Sequence, residues 1–384
     1  MIYIADPGTP AAQVEKIAAE QGLLEAFHLS RRGCDLGWCG ENARPAIPDA
    51  TAIKHAWHHD ETVMLPGILL DAIAHHDKNI EQAHRLMEAT LDGAEVASLF
   101  EAEPYASQLQ RNFALVATSF EEHDPQGIEK LLFDACEYGE IIAENLWCKA
   151  SWLSFHDEDA SLRFRFSFGM EGFEDVAADP SRQHLAGKLC SAIFPESRAI
   201  TENSSLGSLL RAILGSDPAY VERIVYFNAP NGGAQMHHDV ERGHAGVVYG
   251  QLSGSTFWLA AAKPVLMDEL ITFARSTEHA PDIEAVLAEP EAREAFHALL
   301  SDRRALAEYM EEQDHELVEA VLDRSPAFIH HMVKRGYGYM LKPGDALLMP
   351  QRDVDTCVWH TVFCLDDEPG EALSFAIRGD DGRP

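Results

Sequence analysis

The segment Gly246-Val-Val-Tyr-Gly-Gln251-Leu-Ser-Gly254-Ser-Thr-Phe-Trp258 reads as a β-strand, a tight turn and the start of a second strand. Aromatic and β-branched residues, which favour strands, fill much of both arms, and Gly254 stands where a turn needs backbone freedom. Further strand-like segments precede it at 223–228 and follow it at 337–350 and 372–377. Short apolar segments separated by Pro/Gly turns are typical of β-sheet structure. We therefore expect a β domain in the second half of the chain.

A potential metal-binding pair stands just before this segment, in Met236-His237-His238-Asp239. Successive side chains of a strand point to opposite faces, so His237 and Asp239 share one face and His238 takes the other. His360, in a β-type stretch far downstream, is the best candidate for a third ligand. Two histidines and one carboxylate form the facial triad of non-haem Fe(II) oxygenases, which leaves positions open for co-substrate and O2.

The order of these motifs resembles the JmjC and cupin-like branch of the Fe(II)/2-oxoglutarate oxygenases, and in particular the bacterial ribosomal-protein hydroxylases. The resemblance covers about residues 220–378 and rests on four motifs: His237-x-Asp239, Gln251-Leu-x-Gly254-x-x-x-Trp258, Gly344-Asp345-x-Leu-x-x-Pro350 and Trp359-His360. It implies a double-stranded β-helix, which is a jelly-roll or cupin-like barrel. It also implies Fe(II), 2-oxoglutarate as co-substrate, and hydroxylation through a ferryl intermediate. The implied substrate is an amino-acid side chain in a peptide, a protein or a free amino acid.

One departure from the family concerns the co-substrate. The position that usually carries the Lys or Arg for the far carboxylate of 2-oxoglutarate is Thr256. A dianion in a desolvated pocket needs a cation or several donors. Arg378 on the last predicted strand could supply the cation, and Asn228 and the hydroxyls of Tyr249, Thr256 and Ser374 complete the expected co-substrate site. An iron oxygenase that does not use 2-oxoglutarate therefore stays open as an alternative.

Two further departures from the family affect the site and its substrate. The gap between Pro350 and His360 is longer than usual in the family, which predicts an extra loop beside the site. The sequence additions are N-terminal and inserted, rather than the C-terminal winged-helix-like extension of the ribosomal-protein hydroxylases. A small-molecule or peptide-tailoring oxygenase is therefore as well supported as an enzyme acting on the ribosome.

Composition limits the classes of function. The chain has 384 residues and a formal charge of −33, which disfavours nucleic-acid binding and is compatible with a cationic substrate. No apolar run reaches the length of about 18 residues that a membrane helix needs, and the first residues lack the pattern of a signal peptide. The seven cysteines are scattered and odd in number, which favours a reducing cytoplasm over a disulfide framework.

The apolar periodicity predicts an α+β protein with two domains. Helical spacing in 10–30, 68–100, 107–119 and 127–146 predicts an all-helical N-terminal domain over 1–146. Residues 147–384 then form the oxygenase domain, beginning with a β-hairpin over 150–168 and interrupted by an acidic helical insert at 266–333. Because the insert stands between two strands next to the site, we expect it to act as a lid or substrate contact, or to build a homodimer.

Two other groups of polar residues have functional interpretations. His55 and His59 share a helix face, and with His76 they faintly resemble the motif of HD-type metal phosphohydrolases. The simpler interpretation is a solvated helix face. Arg163 and Arg165 share one strand face and could bind a substrate carboxylate, or lie outside beside local acids. A metal-free cupin binding module is the last alternative, and metal analysis would distinguish these functions.

Overall fold

The computed structural model of the chain describes residues 1–119, 124–156, 158–169, 179–241 and 243–379. One residue of the predicted hairpin turn, Asp157, and the last five residues of the chain lie outside the described residues.

Strands and helices alternate irregularly along the chain. The strands are β1 (Ile2–Ala5), β2 (Glu25–Arg31), β3 (Cys34–Glu41), β4 (Val63–Leu65), β5 (Phe113–Ser119), β6 (Gly127–Glu137), β7 (Glu140–Trp152), β8 (Leu162–Phe168), β9 (Ala219–Asn228), β10 (Gly246–Gln251), β11 (Thr256–Ala262), β12 (Gly338–Leu341), β13 (Ala346–Pro350), β14 (Val358–Cys364) and β15 (Gly370–Arg378). The helices are α1 (Ala11–Gln21), α2 (Ala50–His58), α3 (Leu70–Leu91), α4 (Val96–Glu101), α5 (Tyr105–Leu109), α6 (Pro180–Ile193), α7 (Arg198–Thr201), α8 (Ser204–Leu214), α9 (Lys263–Arg275), α10 (Ala280–Val286), α11 (Pro290–Ser301), α12 (Arg303–Tyr309), α13 (Glu316–Arg324) and α14 (Pro326–Lys334). Short 3-10 turns occupy Pro195–Ser197 and Thr277–His279.

A large antiparallel sheet organises the molecule. Its nine strands follow the order β4-β13-β10-β15-β9-β8-β7-β6-β5, and a three-stranded sheet, β12-β11-β14, carries the distal histidine. A second three-stranded sheet, β1-β3-β2, is formed by the N-terminal residues. The chain is therefore a mixed α+β protein, and its large antiparallel sheet is compatible with a jelly-roll.

Two of these sheets contribute to one apolar layer. Tyr249 of β10 belongs to the large sheet, whereas Trp258 of β11 and Val362 of β14 belong to the small one, and all three are buried in the same cluster. Register fixes which residues share the inner face of the large sheet. Tyr249 pairs with Ser374, and Ser374 pairs with Ile224. Alternation then places their neighbours two residues away on the same face.

The all-helical N-terminal domain is wrong as a prediction. Residues 113–119 and 127–152 form β5, β6 and β7 of the large sheet, and the boundary predicted after residue 146 falls inside β7. Along β6 buried and half-exposed side chains alternate, with Leu131, Phe133 and Ala135 on the buried face. Pairing on both sides holds β6 extended, although Glu, Lys, Leu and Ala in its sequence favour a helix.

The helical insert and the hairpin at the start of the second domain agree with prediction. Helices α9 to α14 cover the predicted 266–333, and β7 and β8 pair antiparallel from Leu146↔Phe168 to Trp152↔Leu162. Buried residues of these helices form a second core with the outer face of the small sheet, where Phe257 and Phe363 lie. No helix among the described residues is long and apolar enough to cross a membrane.

Two glutamates lie together in the core on the side of the large sheet away from the small one. Glu196 and Glu371 are both fully buried, and no described donor reaches either carboxyl group. Desolvation raises the pKa of Glu196 to about 7, and desolvation together with the charge of Glu196 raises the pKa of Glu371 well above its usual value. A proton shared by the two groups would satisfy the pair.

Candidate metal centre

Backbone pairing places the two histidines side by side. The N–H of His237 donates to the carbonyl of His360 at 2.9 Å, and the N–H of His360 donates to the carbonyl of His237 at 2.8 Å. This bridge is isolated, so the His-x-Asp segment is an extended stretch lying along β14 and not the regular strand predicted. The predicted alternation of its side chains nevertheless brings His237 and Asp239 to one side.

The three predicted ligands form a compact donor group. Nε2 of His237 lies 3.5 Å from one carboxylate oxygen of Asp239, and Nε2 of His360 lies 3.6 Å from the other. All three donor atoms lie within 4.8 Å of one another. Ligands about 2.1 Å from an ion, on adjacent corners of an octahedron, are about 3 Å apart. Small side-chain movements would therefore bring these atoms to the spacing of a facial triad.

The electrostatics of the group suit a cation. Desolvation opposes ionisation of Asp239, but the hydrogen bond and charges of the histidines outweigh it and lower its pKa far below the usual range. Burial, with the nearby charge of His237, lowers the pKa of His360 to about 3. Desolvation lowers the pKa of His237, but its contacts with Asp239 outweigh this and raise it. An ionised carboxylate and a neutral imidazole are the forms that bind a metal.

A hydrogen bond orients the proximal histidine. Nδ1 of His237 lies 2.7 Å from the carbonyl oxygen of Gln235, so the Nδ1–H donates there and Nε2 is left for a metal. Ring orientation by a backbone carbonyl is a common feature of metal-ligating histidines.

His238 has a different environment from its neighbours. Its Nε2 lies 2.9 Å from a carboxylate oxygen of Glu311, at the end of the α12 segment. The same carboxylate binds the buried Lys263 at 2.5 Å. His238 is therefore engaged with the helical insert, as expected for a residue on the face opposite His237.

A buried aspartate of the insert supports the ligand segment, and no local sequence pattern predicts this role. Both carboxylate oxygens of Asp323, on α13, accept from the N–H of Met236, at 3.0 and 3.1 Å. The same side chain accepts from Arg31 of β2 at 2.5 Å and from the hydroxyl of Thr361, next to His360, at 3.1 Å. One carboxylate thus joins the segments that carry both histidines.

A second supporting residue comes from the predicted extra loop. Oε1 of Gln351 accepts from the N–H of Asp239 at 3.3 Å, and its amide donates to the carbonyl of Val358 at 2.8 Å. Gln351 is fully buried. The residue that follows β13 therefore holds the carboxylate ligand against the strand that carries His360.

The donor group opens into a cavity of about 440 Å³. This volume lies in the range of about 300–1,000 Å³ that small-molecule sites occupy. Of the predicted co-substrate residues, Asn228, Tyr249 and Ser374 line the cavity. Arg163 and Arg165 also line it, so the interpretation of an exterior strand face is wrong. The insert contributes none of the described lining residues, which contradicts its expected role as a lid.

Thr256 is withdrawn from the cavity by a hydrogen-bond chain. Its hydroxyl accepts from the indole N–H of Trp258 at 2.9 Å and donates to Oε1 of Gln251 at 2.8 Å. Tyr249 donates to the same Oε1 at 3.3 Å and accepts from the side-chain amide of Asn228 at 3.0 Å. Thr256 is fully buried and is not among the described lining residues.

Arg378 lies beyond the part of β15 that lines the cavity. It follows two residues after Ala376, the last described residue of that strand in the cavity wall, about 7 Å along the strand at about 3.3 Å per residue. Its guanidinium lies beside Gly243, where an added Cβ would come within 3.1 to 3.4 Å of it. Arg378 is therefore not among the described residues that line the cavity. Strand alternation gave its direction but not its distance from the site.

A second group of metal-capable side chains lines the same cavity. Glu222, Glu241 and His244 place donor atoms within 4.8 Å of one another. Arg165 forms ion pairs with Glu222 and, at 3.4 Å, with Glu241. Arg165 already lies where a cation would bind between these acids, so we assign the metal to the first group.

The N-terminal histidines do not converge. The rings of His55 and His59 are stacked at 4.0 Å, and Nδ1 of His59 lies 2.8 Å from the carbonyl of His55. Nδ1 of His76 lies 3.3 Å from the side chain of Asn79. None of these histidines belongs to a metal-capable group of three among the described residues.

Comparisons with known proteins add little to this site. No protein-family model and no curated protein matches the chain. Among solved structures, the chain is similar to a ribosomal oxygenase, YcfD from Escherichia coli, with 13% sequence identity and a TM-score of 0.22. The match covers 70% of this chain and 40% of that chain, so this chain spans less than half the length of the solved protein.

Proposed function

We propose that this protein is a non-haem Fe(II) dioxygenase that uses 2-oxoglutarate to hydroxylate an amino-acid side chain. The observation that carries the proposal is the group His237, Asp239 and His360 at the wall of a cavity sized for a small molecule. Two imidazoles and one carboxylate on one face of an ion are the ligands of Fe(II) oxygenases, and the remaining positions would face the cavity. We also propose that the two sheets together form a jelly-roll, which is a double-stranded β-helix.

Iron bound at this group would activate O2 for oxidation of a C–H bond. The residues of the chain would hold the metal ligands in position and form the cavity wall. Trp258 stacks on His360 with ring centroids 5.2 Å apart, and Tyr249 packs against Trp258 at 4.5 Å. These rings and Val362 form an apolar wall beside the ligands, which limits the entry of water. Gln351 and Asp323 keep the ligand segments in register.

We extend the proposal to the substrate and the compartment. A free amino acid or a peptide side chain fits the motif resemblance and the cavity volume, and the enzyme would act in the cytoplasm. The acids Glu222 and Glu241 in the cavity wall and the charge of −33 would favour a cationic group on the substrate.

Anaerobic titration with Fe(II), with and without 2-oxoglutarate, tests the proposal. The wild type should bind one Fe(II), and adding 2-oxoglutarate should produce the visible charge-transfer absorption of a chelated 2-oxo acid. His360→Ala should show neither signal, and the exposed variant His297→Ala should show both. A wild type without stoichiometric iron would refute the proposal.

A second candidate is an iron oxygenase that needs no 2-oxoglutarate. It is favoured by the burial of Thr256 in a neutral hydrogen-bond chain and by the absence of Arg378 from the described residues that line the cavity. Neither Thr256 nor Arg378 then supplies a positive charge for the far carboxylate of 2-oxoglutarate. Iron binding without the charge-transfer absorption, at any 2-oxoglutarate concentration, would select this candidate.

A further inference from the structure

Three of the described residues that line the cavity are arginines, and two of them are already paired with carboxylates. Arg32 lies 3.3 Å from a carboxylate oxygen of Asp159, and Arg165 is paired with Glu222 and Glu241. A guanidinium whose charge is matched by the protein contributes little to the binding of a further anion.

Arg163 is held differently. Its Nε donates to the hydroxyl of Ser151 at 2.9 Å, and one Nη2 hydrogen points to Oε1 of Gln126 at 3.3 Å. Both partners are neutral, and no carboxylate of the described residues forms an ion pair with this side chain. A guanidinium carries five N–H groups, so donors remain after these two contacts. The neutral contacts fix the plane of the guanidinium without cancelling its charge.

Sheet register places Arg163 on the same face as the rest of the cavity wall. Arg163 of β8 pairs with Tyr226 of β9, and both line the cavity. β8 is separated from β10, which carries Tyr249, by two intervening strands. Three strand intervals amount to about 14 Å between backbones. Tyr249 leads through Trp258 to His360, so Arg163 and His360 lie on different parts of the wall of one cavity.

We propose that Arg163 is the carboxylate anchor of this cavity, binding one end of a small organic acid whose other end reaches the His237, Asp239 and His360 group. The proposal rests on the proposed function. A planar guanidinium binds a carboxylate bidentately, with matched geometry. The carboxylate belongs either to 2-oxoglutarate or to an amino-acid substrate. Among the described lining residues, one cation without a carboxylate partner, in a wall that also carries Glu222, Glu241 and Asp239, suits a carboxylate better than the dianionic phosphate group.

Two pairs of probes distinguish the two sources. The first pair is 2-oxoglutarate and its distal amide, 2-oxoglutaramate, which keeps the chelating end but lacks the far carboxylate. The second pair is a panel of free amino acids and their carboxamides, with 2-oxoglutarate saturating. Dissociation constants are measured anaerobically by calorimetry for the wild type, Arg163→Gln and Arg163→Lys. Arg304→Gln, an exposed arginine on α12, is the matched control.

The wild type should prefer the carboxylate over the amide by roughly tenfold or more in one pair. Arg163→Gln should abolish that preference, Arg163→Lys should keep part of it, and Arg304→Gln should keep all of it. If Arg163→Gln loses the preference for 2-oxoglutarate over its amide, the carboxylate bound by Arg163 belongs to the co-substrate. If it loses the preference for free amino acids over their carboxamides, that carboxylate belongs to the substrate. A preference that survives Arg163→Gln, or is absent from the wild type in both pairs, overturns the proposal.

Iron content and circular dichroism are measured for every variant. Arg163→Gln should keep its fold and its iron, since its side chain does not touch the ligands. A wild type without iron refutes the proposed function alone, because a carboxylate preference lost with Arg163 would still be seen in the metal-free protein.

Discussion

Each side chain of the donor group has a distinct electrostatic role. Asp239 lies between two imidazoles at 3.5 and 3.6 Å, so its charge is what makes the group attractive to a divalent ion. His360 is buried, and its lowered pKa keeps it neutral. His237 keeps one nitrogen on the carbonyl of Gln235 and offers the other. The loss of any one of these three side chains should therefore weaken metal binding.

We predict that His237→Ala, Asp239→Ala and His360→Ala each lose most bound iron, because each removes one of three protein ligands. His238→Ala should keep its iron, since its ring contacts Glu311 on the opposite side. Metal content after anaerobic Fe(II) loading and desalting provides the measurement. Equal loss of iron from His238→Ala and His237→Ala would show that the assigned faces are wrong.

Gln351 should tune the metal affinity without binding the metal. We predict that Gln351→Ala weakens Fe(II) binding by about 10- to 100-fold, as the loss of outer-sphere contacts often does. Its amide and carbonyl groups hold Asp239 to the strand of His360. Competition with a chromophoric chelator measures the affinity, and Gln13→Ala, at an exposed glutamine of α1, is the control. An unchanged affinity would make Gln351 a packing residue only.

The donor group could be predicted from the sequence, but its supports could not. A His-x-Asp pair and a distant Trp-His carry their chemistry in local spacing, and strand alternation is enough to assign faces. Asp323 is a single charged residue whose partners Arg31 and Met236 are far away in the chain, and only the packing of α13 brings it to the site. The sequence places Arg163 on a strand face, but only the register of β8 against β9 places that face in the cavity.

At the scale of elements, helix α13 stabilises the extended segment that carries His237 and Asp239. Asp323 is buried and accepts from β2, from the N–H before His237 and from the residue after His360. Glu319, one turn earlier, accepts from the side-chain amide of Gln235 at 2.6 Å. The insert therefore stabilises the segments that carry the metal ligands, and none of its described residues lines the cavity.

We predict that Asp323→Asn destabilises the fold by about 3–5 kcal/mol, because it leaves Arg31 buried without its counter-charge. Iron affinity should fall as well, since the backbone of Met236 loses a charged acceptor. Urea unfolding and iron titration measure the two effects, and Glu284→Gln, an exposed acid of the same insert, is the control. A stable Asp323→Asn with normal iron affinity would contradict this stabilising role.

Elements with local periodicity were predictable, and elements fixed by pairing were not. The insert and α8 (Ser204–Leu214) have apolar residues at helical spacing and form helices. In β6, Leu131, Leu132 and Ala135 have the same spacing, but each side of the strand is paired in the large sheet. The strands on either side of β6 are separate segments of the sequence. Whether β6 forms a helix or a strand therefore depends on contacts that a short stretch of sequence does not contain.

At the scale of the molecule, Glu196 and Glu371 make folding stability depend on pH. Burial raises both carboxyl pKa values, so the folded chain holds protons that the unfolded chain releases. The sign follows from linkage: stability is highest below the ordinary carboxyl pKa and is lost as pH rises toward about 7, the raised pKa of Glu196.

We predict that Glu371→Gln stabilises the protein at pH 8 by at least about 1 kcal/mol, because its amide can donate to the Glu196 carboxylate. The difference from the wild type should shrink by pH 5, where the wild-type pair is protonated. Urea unfolding at both pH values is the measurement, with the exposed Glu202→Gln as control. A Glu371→Gln variant less stable than the wild type at pH 8 would contradict a shared proton.

The contact between Arg31 and Thr361 has a consequence for biosynthesis. These two side chains are 330 residues apart and meet through a hydrogen bond of 2.5 Å, with Asp323 between them in the chain order. Contacts of such long range form slowly. During translation at about 5–20 residues per second, Arg31 must wait until Asp323, 292 residues later, has been made before it meets its counter-charge. The nascent chain would therefore expose this cation for tens of seconds.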